Sequence, residues 1–308
     1  MSFLFLLEQA LNGLQFGVML FLIAAGLTLV FGIMNLVNLA HGSLYMLGAY
    51  FAATFYGWTG SFLLTIALTL PATAAAGIVI ELVALRRLYD RDHLDQVLAT
   101  FGLILSLNEL VRLVWGPGAL LMRVPPALSG AIEIIPGVPY PSYRLMIILA
   151  GLAVALGLYL LIAHTRIGML IRAGASNRTM VGALGVDIKL LYTLVFGLGA
   201  ALAGFAGLMV GPLFSVEVGM GESILIVAFV VIVIGGIGSI RGAFVASVLV
   251  GLIDTLGRTV LPTAFTYVYQ LKSDADATGA AVASMLIYVL MAAILYFRPQ
   301  GLFPARTG

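Results

Sequence analysis

The sequence predicts an all-α polytopic membrane protein, a bundle of about eight to nine transmembrane segments of which some are short or broken. Of the 308 residues, 62% are hydrophobic and only 9% are charged, whereas soluble domains carry roughly 25% charged residues. Residues 9–80 contain no Lys, Arg, Asp or Glu, and one spanning helix needs about 20 apolar residues. Because these runs are apolar on every side rather than alternating, helices are favoured over the strands of a β-barrel.

The apolar runs predict nine segments, and no soluble domain interrupts them, so residues 1–308 are expected to form one membrane domain. The second, seventh and eighth segments are short or rich in glycine, which is typical of half-helices. The predicted segments lie near residues 8–31, 36–54, 62–85, 95–115, 145–164, 190–213, 223–240, 242–258 and 279–297.

Basic residues predict the orientation, because cytoplasmic loops are enriched in Lys and Arg. Three clusters are expected on the inner side, which leaves the loops near 116–144, 214–222 and 259–278 outside. The proline-rich loop at 116–144 is expected to be stiff and irregular, and the loop at 259–278 to be solvent-exposed. Arg112, Arg123 and Arg144 depart from the trend. The inner clusters are Arg86, Arg87 and Arg91, then Arg166, Arg172, Arg178 and Lys189, and finally Arg298 and Arg306.

Three polar side chains, Asn35, Asn38 and His41, interrupt an apolar region. Burying an amide or an imidazole in lipid without a partner costs several kcal/mol, on the order of 2–7. Such groups therefore face the interior of a bundle or a water-filled path. Two interpretations stay open: the three residues cap helix ends, or they line the solute path.

Two of the predicted spans contain further polar groups, Asn108 and Glu109 in the fourth and Asp254 in the eighth. An intramembrane carboxylate is a candidate functional group. The structural alternative pairs Glu109 with Arg112 and Asp254 with Arg258, each one helical turn away.

Glycines form two patterns. Gly199, Ala203, Gly207 and Gly211 recur every four residues, which gives one smooth helix face for packing within the chain or against another subunit. Gly235, Gly236 and Gly238 follow a β-branched run and imitate a dinucleotide-binding loop, but no alternating strands and helices surround them. These glycines instead predict a break between two short helices that faces protein or water.

The inner loop at 166–189 is basic, and Ala173 to Leu184 is predicted to form a short helix parallel to the membrane. Its face with Met180, Val181 and Leu184 suits docking of another protein or contact with anionic lipids. The sequence lacks a Walker A loop, since neither of its two lysines, Lys189 and Lys272, follows a glycine-rich turn. If ATP drives transport, another chain supplies the nucleotide site.

Four segments resemble the branched-chain amino-acid type permeases of ABC importers, a family whose subunits have a type II-like importer fold. The resemblance runs along essentially the whole chain and is most specific in the first and third segments. The four segments are 32–50 (GIMNLVNLAHGSLYMLGAY), 172–187 (RAGASNRTMVGALGVD), 298–303 (RPQGLF) and 235–239 (GGIGS).

The resemblance implies a bacterial inner membrane location and several partners. These are a second related permease, two cytoplasmic ATPases that use ATP and Mg, and a periplasmic solute-binding protein, with no nucleic acid. The chain itself is expected to bind no cofactor or metal and to catalyse no bond breaking. The family also includes amide, urea and aromatic-acid importers, so the solute stays open, as does whether the permease pair is a homodimer or a heterodimer.

The coupling helix of the family, which contacts the ATPase, maps onto Ala173 to Val186, with Gly185 as the turn that ends it. This chain has Ser176, Asn177 and Arg178 where an acidic residue is often found, so its docking partner is expected to differ slightly. The expected coupling residues are Arg172, Ala173, Ser176, Asn177, Arg178, Met180, Val181, Leu184 and Gly185.

Two other functions are compatible with a polytopic chain. An ion-coupled secondary transporter would use Glu109 and Asp254 near the bilayer centre. An intramembrane enzyme has no support, because His41, His93 and His164 are widely scattered and no paired catalytic acids or nucleophile motif occur.

Overall fold

The computed structural model describes residues 3–135, 137–266 and 272–304, and these residues form a helical bundle with one short hairpin. The Arg306 of the third basic cluster lies outside the described residues. The helices are α1 Phe3–Met34, α2 His41–Thr59, α3 Phe62–Val83, α4 His93–Trp115, α5 Ser142–His164, α6 Arg166–Ser176, α7 Arg178–Ala183, α8 Ile188–Val210, α9 Met220–Gly235, α10 Ile240–Phe265 and α11 Lys272–Phe297, with 3₁₀ turns at Leu85–Leu88 and Pro126–Leu128 and strands β1 Ala131–Ile135 and β2 Val138–Pro141.

Seven of the described helices are long and apolar enough to cross a membrane, namely α1, α3, α4, α5, α8, α10 and α11. The polytopic all-α class is therefore confirmed. The seventh predicted segment is short, because α9 has 16 residues, about 24 Å at 1.5 Å per residue against a hydrocarbon core of about 30 Å. The eighth was wrongly expected to be short, since α10 has 26 residues.

The core of the bundle consists of α1 and α8, whose most apolar windows are 83% and 78% buried. Every residue from Gly17 to Val30 is buried. The other helices surround this pair, with α10 along one side of α1 and α2 and α3 along α8. Side chains on the outer helices face away from the chain, as expected where lipid or another subunit is the surrounding medium.

Glycines set the closest helix crossings. A Cβ on Gly26 of α1 would lie 2.7 Å from the carbonyl oxygen of Gly199 on α8, so only glycine allows this approach. Gly207, on the same face of α8, packs directly on the backbone of α2 at Tyr45. Gly211 lies one residue beyond α8, where a Cβ would meet the sulfur of Met122 at 3.2 Å. The four-residue glycine pattern is thus occupied by contacts within the chain.

Two loop predictions were wrong. The segment at 116–144 is not wholly irregular, because β1 and β2 pair antiparallel within it, with Ala131 opposite Pro141. Pro139 and Pro141 of β2 are exposed in this two-stranded sheet, where a missing N–H does not break the ladder.

The loop at 259–278 is mostly helical, because α10 continues through Pro262 to Phe265 and α11 begins at Lys272. Gly279 of α11 leaves room for Pro262, because a Cβ added at Gly279 would lie 2.5 Å from the proline nitrogen. Asp274 suggested a loop, but it lies in the first turn of α11, where the helix dipole favours a carboxylate.

The predicted single helix from Ala173 to Leu184 is divided. Asn177 has an extended backbone (φ −152°) between α6 and α7, and its side-chain oxygen accepts a hydrogen bond from the Met180 N–H at 2.9 Å. Asparagine favours such N-cap positions over helix interiors, so it starts a new helix here. Gly185 follows with φ +86°, a conformation natural for glycine at the end of a helix.

Candidate functional site

The connection between α1 and α2 is an extended segment that runs beside α4. Asn35, just after α1, is the one described non-glycine residue with a positive φ (52°). The Val37 N–H then donates to the side chain of Gln96 at 3.1 Å, and the Leu39 N–H donates to Thr100 Oγ1 at 3.3 Å. Both acceptors are buried residues of α4. Non-helical backbone at membrane depth is therefore paired by protein, as a hydrocarbon environment requires.

His41 shows that α2 begins inside the bundle rather than at its inner end. A Cβ on Gly26 would lie 2.9 Å from the Nε2 of His41. Gly26 precedes the end of α1 by eight residues, about 12 Å along a helix. The connection therefore folds back by that distance, and α2 is a broken helix.

Asn38 and His41 are both buried but differ in their partners. The Asn38 side-chain oxygen accepts from the Ala40 N–H at 3.0 Å, which stabilises the turn before α2. The Asn38 amide nitrogen has no hydrogen-bond partner. The His41 ring faces the backbone of Ile23, but neither ring nitrogen has hydrogen-bond geometry to a partner. Helix capping thus accounts for one atom of Asn38 and for none of His41.

The second half of α4, which the orientation prediction places toward the outside, carries Asn108, Glu109 and Arg112, of which Asn108 is half-buried while the other two are exposed. The Asn108 amide donates to Glu222 of α9 at 2.7 Å. Glu109 and Arg112 form an ion pair at 2.7 Å while their side chains stay 61% and 51% exposed. Glu109 and Arg112 precede the end of α4 by six and three residues, about 9 and 5 Å along the helix. A charged pair within a predicted span is expected to face water or another subunit rather than lipid.

The second candidate carboxylate also has a partner. Asp254 and Arg258 of α10 form an ion pair at 2.9 Å. The two carboxylates that an ion-coupled mechanism would use are therefore each neutralised by an arginine on the same helix, as the structural alternative expects.

Two motifs that are distant in the sequence meet at the end of α9. Gly236 and Gly238 have φ values of 102° and 80°, and Ser239 caps α10 by accepting from the Gly242 N–H at 3.1 Å. The Leu302 and Phe303 N–H groups donate to the carbonyls of Ile234 and Gly235 at 2.8 and 3.0 Å. The N–H groups of the segment after the last helix thus bond to the carbonyl groups at the end of α9, next to the glycine-rich break.

One polar cluster was missed by the sequence analysis. The fully buried Glu81 at the inner end of α3 accepts hydrogen bonds from Arg86, Tyr89 and Thr193. Burial first, and then the hydrogen bond to Glu81, raise the pKa of Tyr89, so its phenol remains a donor. Thr193 belongs to the first turns of α8, directly after the inner loop. The sequence does contain an indication of this site, since Glu81 is the first charged residue after the uncharged run at 9–80.

The inner loop offers an exposed apolar pair. The side chains of Met180 and Leu184 are 58% and 76% exposed. Met180 lies in α7, and Leu184 follows the end of α7, just before Gly185. Val181, which was predicted on the same face, is buried instead, because α7 starts anew after Asn177 and places this side chain toward the bundle. The remaining expected coupling residues are Arg172, Ala173 and Ser176 on α6 and Arg178 at the start of α7.

Within the described residues, no group of three or more His, Asp or Glu side chains is placed to hold a metal ion. The polar groups instead form pairs and small clusters at three levels: the inner end of α3, the start of α2 and the outer half of α4.

Comparison with known proteins identifies the family of this chain. Residues 9–295 match the family model described as the permease component of the branched-chain amino acid transport system. A high-affinity branched-chain amino acid permease, BraD of Pseudomonas aeruginosa, is 31% identical over 96% of this chain and 95% of its own length. The LivH permease of Salmonella typhimurium is 30% identical over 86% of this chain and 90% of its own.

Two more distant proteins also align. A probable LivH permease of Methanocaldococcus jannaschii is 27% identical over 92% of this chain and 88% of its own. An inward-facing metal-chelate type ABC transporter of known structure covers 93% of this chain and 85% of its own, with 18% identity and a TM-score of 0.47, too low to equate the two folds. The match along nearly the whole chain shows that this protein belongs to the family of permease components of branched-chain amino acid transport systems.

Proposed function

We propose that this chain forms half of the translocation pathway of an ABC importer for branched-chain or related amino acids. The observation that carries the proposal is the exposed polar face of α4. One face of this helix packs on the chain through Ile104, Leu107 and Val111, whereas the face with the Glu109–Arg112 pair is exposed. Asn108 lies beside that pair and is bonded to Glu222 of α9. A helix face toward lipid would not keep such a charged pair.

A second, related permease is the partner that would cover α4. Two such faces would enclose a polar path between them, lined near the outer side by Asn108 and Glu109. At the other end, the unpaired atoms of Asn38 and His41 lie beside the extended segment that begins at Asn35. These five residues are the proposed path, and they lie on α4, on the connection that α4 supports and at the first residue of α2.

Two cytoplasmic ATPases, which use ATP and Mg, would supply the energy by contacting the segment near 166–189. The exposed side chains of Met180 and Leu184 give them an apolar contact, and Arg172 and Arg178 give positive charge. The segment joins directly to α8 and thus to Thr193 and Glu81, so movement of the loop would reach α3 and α8 together. The chain itself would hydrolyse nothing.

The proposed location is a bacterial inner membrane, with the loops near 116–144 and 259–278 toward the periplasm and a solute-binding protein on that side. Branched-chain amino acids are proposed as the solute because the curated relatives named above transport them. An ion-coupled transporter is not favoured, since the family consists of ABC permeases and the two candidate carboxylates are paired with arginines.

The chain contains no cysteine, so a single introduced cysteine is the one site in this chain that a thiol reagent labels. Such cysteines test whether a second permease covers the exposed face of α4. Leu113→Cys on α4 and the control Leu63→Cys on α3 are comparable, since both side chains are about four-fifths exposed (82% and 78%). A maleimide reagent with a photoreactive end should link Leu113→Cys to a second permease in the purified complex and link Leu63→Cys to lipid. Equal labelling of both positions by lipid alone would contradict the proposed role of α4.

A further inference from the structure

A large cleft opens on the inner side of the bundle, apart from the polar face of α4. It has a volume of about 1560 Å³ and lies between the inner ends of α1 and α5, the helix α6, the first turns of α10 and the segment after α11. Its lining divides into an apolar part deep in the bundle and a positively charged part at its mouth.

The mouth carries three arginines from three elements: Arg172 on α6, Arg178 on α7 and Arg241 on α10. No acidic side chain lines the cleft, and none of the three arginines forms an ion pair with a described residue. The cleft therefore concentrates uncompensated positive charge.

The position of Arg241 adds to that charge. It lies in the first turn of a helix of 26 residues, whose N-terminus is positive because of its aligned peptide dipoles. Its guanidinium lies over the ring of Tyr159 at 5.2 Å, a cation–π contact that holds the side chain across the mouth. Guanidinium groups bind phosphate oxygens in pairs, so the mouth suits a phosphate-bearing anion.

The inner part of the cleft is apolar. Phe21, Leu158, Phe244 and Val245 line it. Phe244 and Val245 follow Arg241 by three and four residues, about one helical turn, and Phe21 packs on Phe244 with ring centroids 5.2 Å apart. An apolar wall directly beside a basic mouth matches the acyl chains and headgroup of a lipid. A soluble anion such as free phosphate would use the mouth alone.

We infer that this cleft binds an anionic phospholipid of the inner leaflet, with the phosphate on Arg241 and the acyl chains against the apolar wall. Arg172 and Arg178, which the proposed function assigns to the ATPase contact, add positive charge at the mouth. Basic pockets between membrane helices on the cytoplasmic side hold anionic headgroups by the same physics. The inference does not depend on which solute the transporter carries.

Native mass spectrometry of the assembled complex, purified from membranes and exchanged into phosphatidylcholine with phosphatidylglycerol as the probe, tests the inference. The wild-type complex should retain phosphatidylglycerol in preference to phosphatidylcholine. Arg241→Gln should lower this retention about fivefold. The matched control is Arg87→Gln, an exposed inner arginine outside the cleft, which should change nothing.

A second variant separates a lipid from a free anion and does not alter charge. Val245→Trp narrows the apolar wall and should displace phosphatidylglycerol while leaving any competition by inorganic phosphate unchanged. Equal retention of both lipids, or no loss in either cleft variant, would overturn the inference. Retention that appears only after the ATPases are removed would also overturn it and would assign the arginines to an acidic surface of the ATPase.

Discussion

Glu81 and Arg86 form a bidentate ion pair at the inner end of α3. The Arg86 Nε donates to Glu81 Oε1 at 3.0 Å, and the Arg86 Nη2 donates to Glu81 Oε2 at 3.1 Å. The carboxylate is fully buried and the arginine is one-third exposed. Thr193 of α8 contacts both members of the pair. This cluster ties α3 to α8, the helix that begins directly after the inner loop.

Tyr89→Phe tests the stabilising role of that cluster. The phenol donates to Glu81 at 2.6 Å, and hydrogen bonds to charged groups contribute about 1.5–3 kcal/mol. We expect the free energy of unfolding in detergent to fall by about 2 kcal/mol, as measured by chemical denaturation. Tyr296→Phe, whose side chain is 82% exposed, is the control and should leave stability unchanged.

Gly301→Ala tests the docking of the C-terminal segment on the end of α9. Gly301 has φ +82°, and an added Cβ would lie 2.5 Å from the backbone of Gly236. Backbone strain of this kind alone costs about 1–3 kcal/mol, so folded yield and thermal stability should fall. Gly157→Ala, where a Cβ meets open space, should be neutral or stabilising; equal effects would show that the segment is not docked as described.

Gly185→Ala tests the proposed coupling turn. Nothing surrounds Gly185, so the only penalty is its φ of +86°, about 1–2 kcal/mol for a side chain in that region. We expect membrane insertion to persist while ATP-driven uptake falls, and the charge reversal Arg178→Glu should act in the same direction. Gly182→Ala, in α7, should retain uptake. Normal uptake in Gly185→Ala and Arg178→Glu would remove this segment from the coupling path.

His41→Leu separates a structural from a transport role. Because neither ring nitrogen has hydrogen-bond geometry to a partner, the replacement loses at most the contact with the Ile23 backbone and should lower thermal stability less than Asn38→Leu does. Uptake should nevertheless fall if the ring serves the solute path. Asn38→Leu is the comparison, since it loses the bond to Ala40 and should cost about 1 kcal/mol of stability. A His41→Leu transporter with full uptake would show that the imidazole has no role in transport.

Asn108→Leu tests the polar face of α4. The change removes the hydrogen bond to Glu222 and leaves that carboxylate without its amide partner at the proposed path. Uptake by the assembled transporter should decrease while ATPase binding is retained. Ser106→Ala, which loses only a bond to the Gly102 carbonyl on the same helix, is the matched control, and equal uptake in the two variants would argue against a path along α4.

Hydropathy sufficed to predict most of the helices, because an apolar run of spanning length has few other folds in lipid. It misplaced the ends of α10 and α11, since helices that extend beyond the hydrocarbon carry polar residues such as Asp274 and tolerate Pro262 where Gly279 packs against it. The hairpin at Ala131–Pro141 was missed because proline signals dominated the segment.

The candidate site was harder to predict, because its features depend on contacts between distant residues. The polar residues at 35–41 were visible in the sequence, but the fold-back of α2 depends on Gln96 and Thr100 of α4. The break at Gly236 was expected, whereas its closure by Leu302 and Phe303 was not. The burial of Glu81 likewise depends on Thr193, more than a hundred residues away.

Reconstitution in proteoliposomes tests the central proposal most directly. The chain is purified with and without its ATPases and second permease, and uptake of labelled leucine is measured with ATP or with an imposed ion gradient. We predict uptake only for the complete assembly with ATP and Mg, at rates set by the solute-binding protein. Leucine accumulation by this chain alone, driven by a proton or sodium gradient, would contradict the proposal.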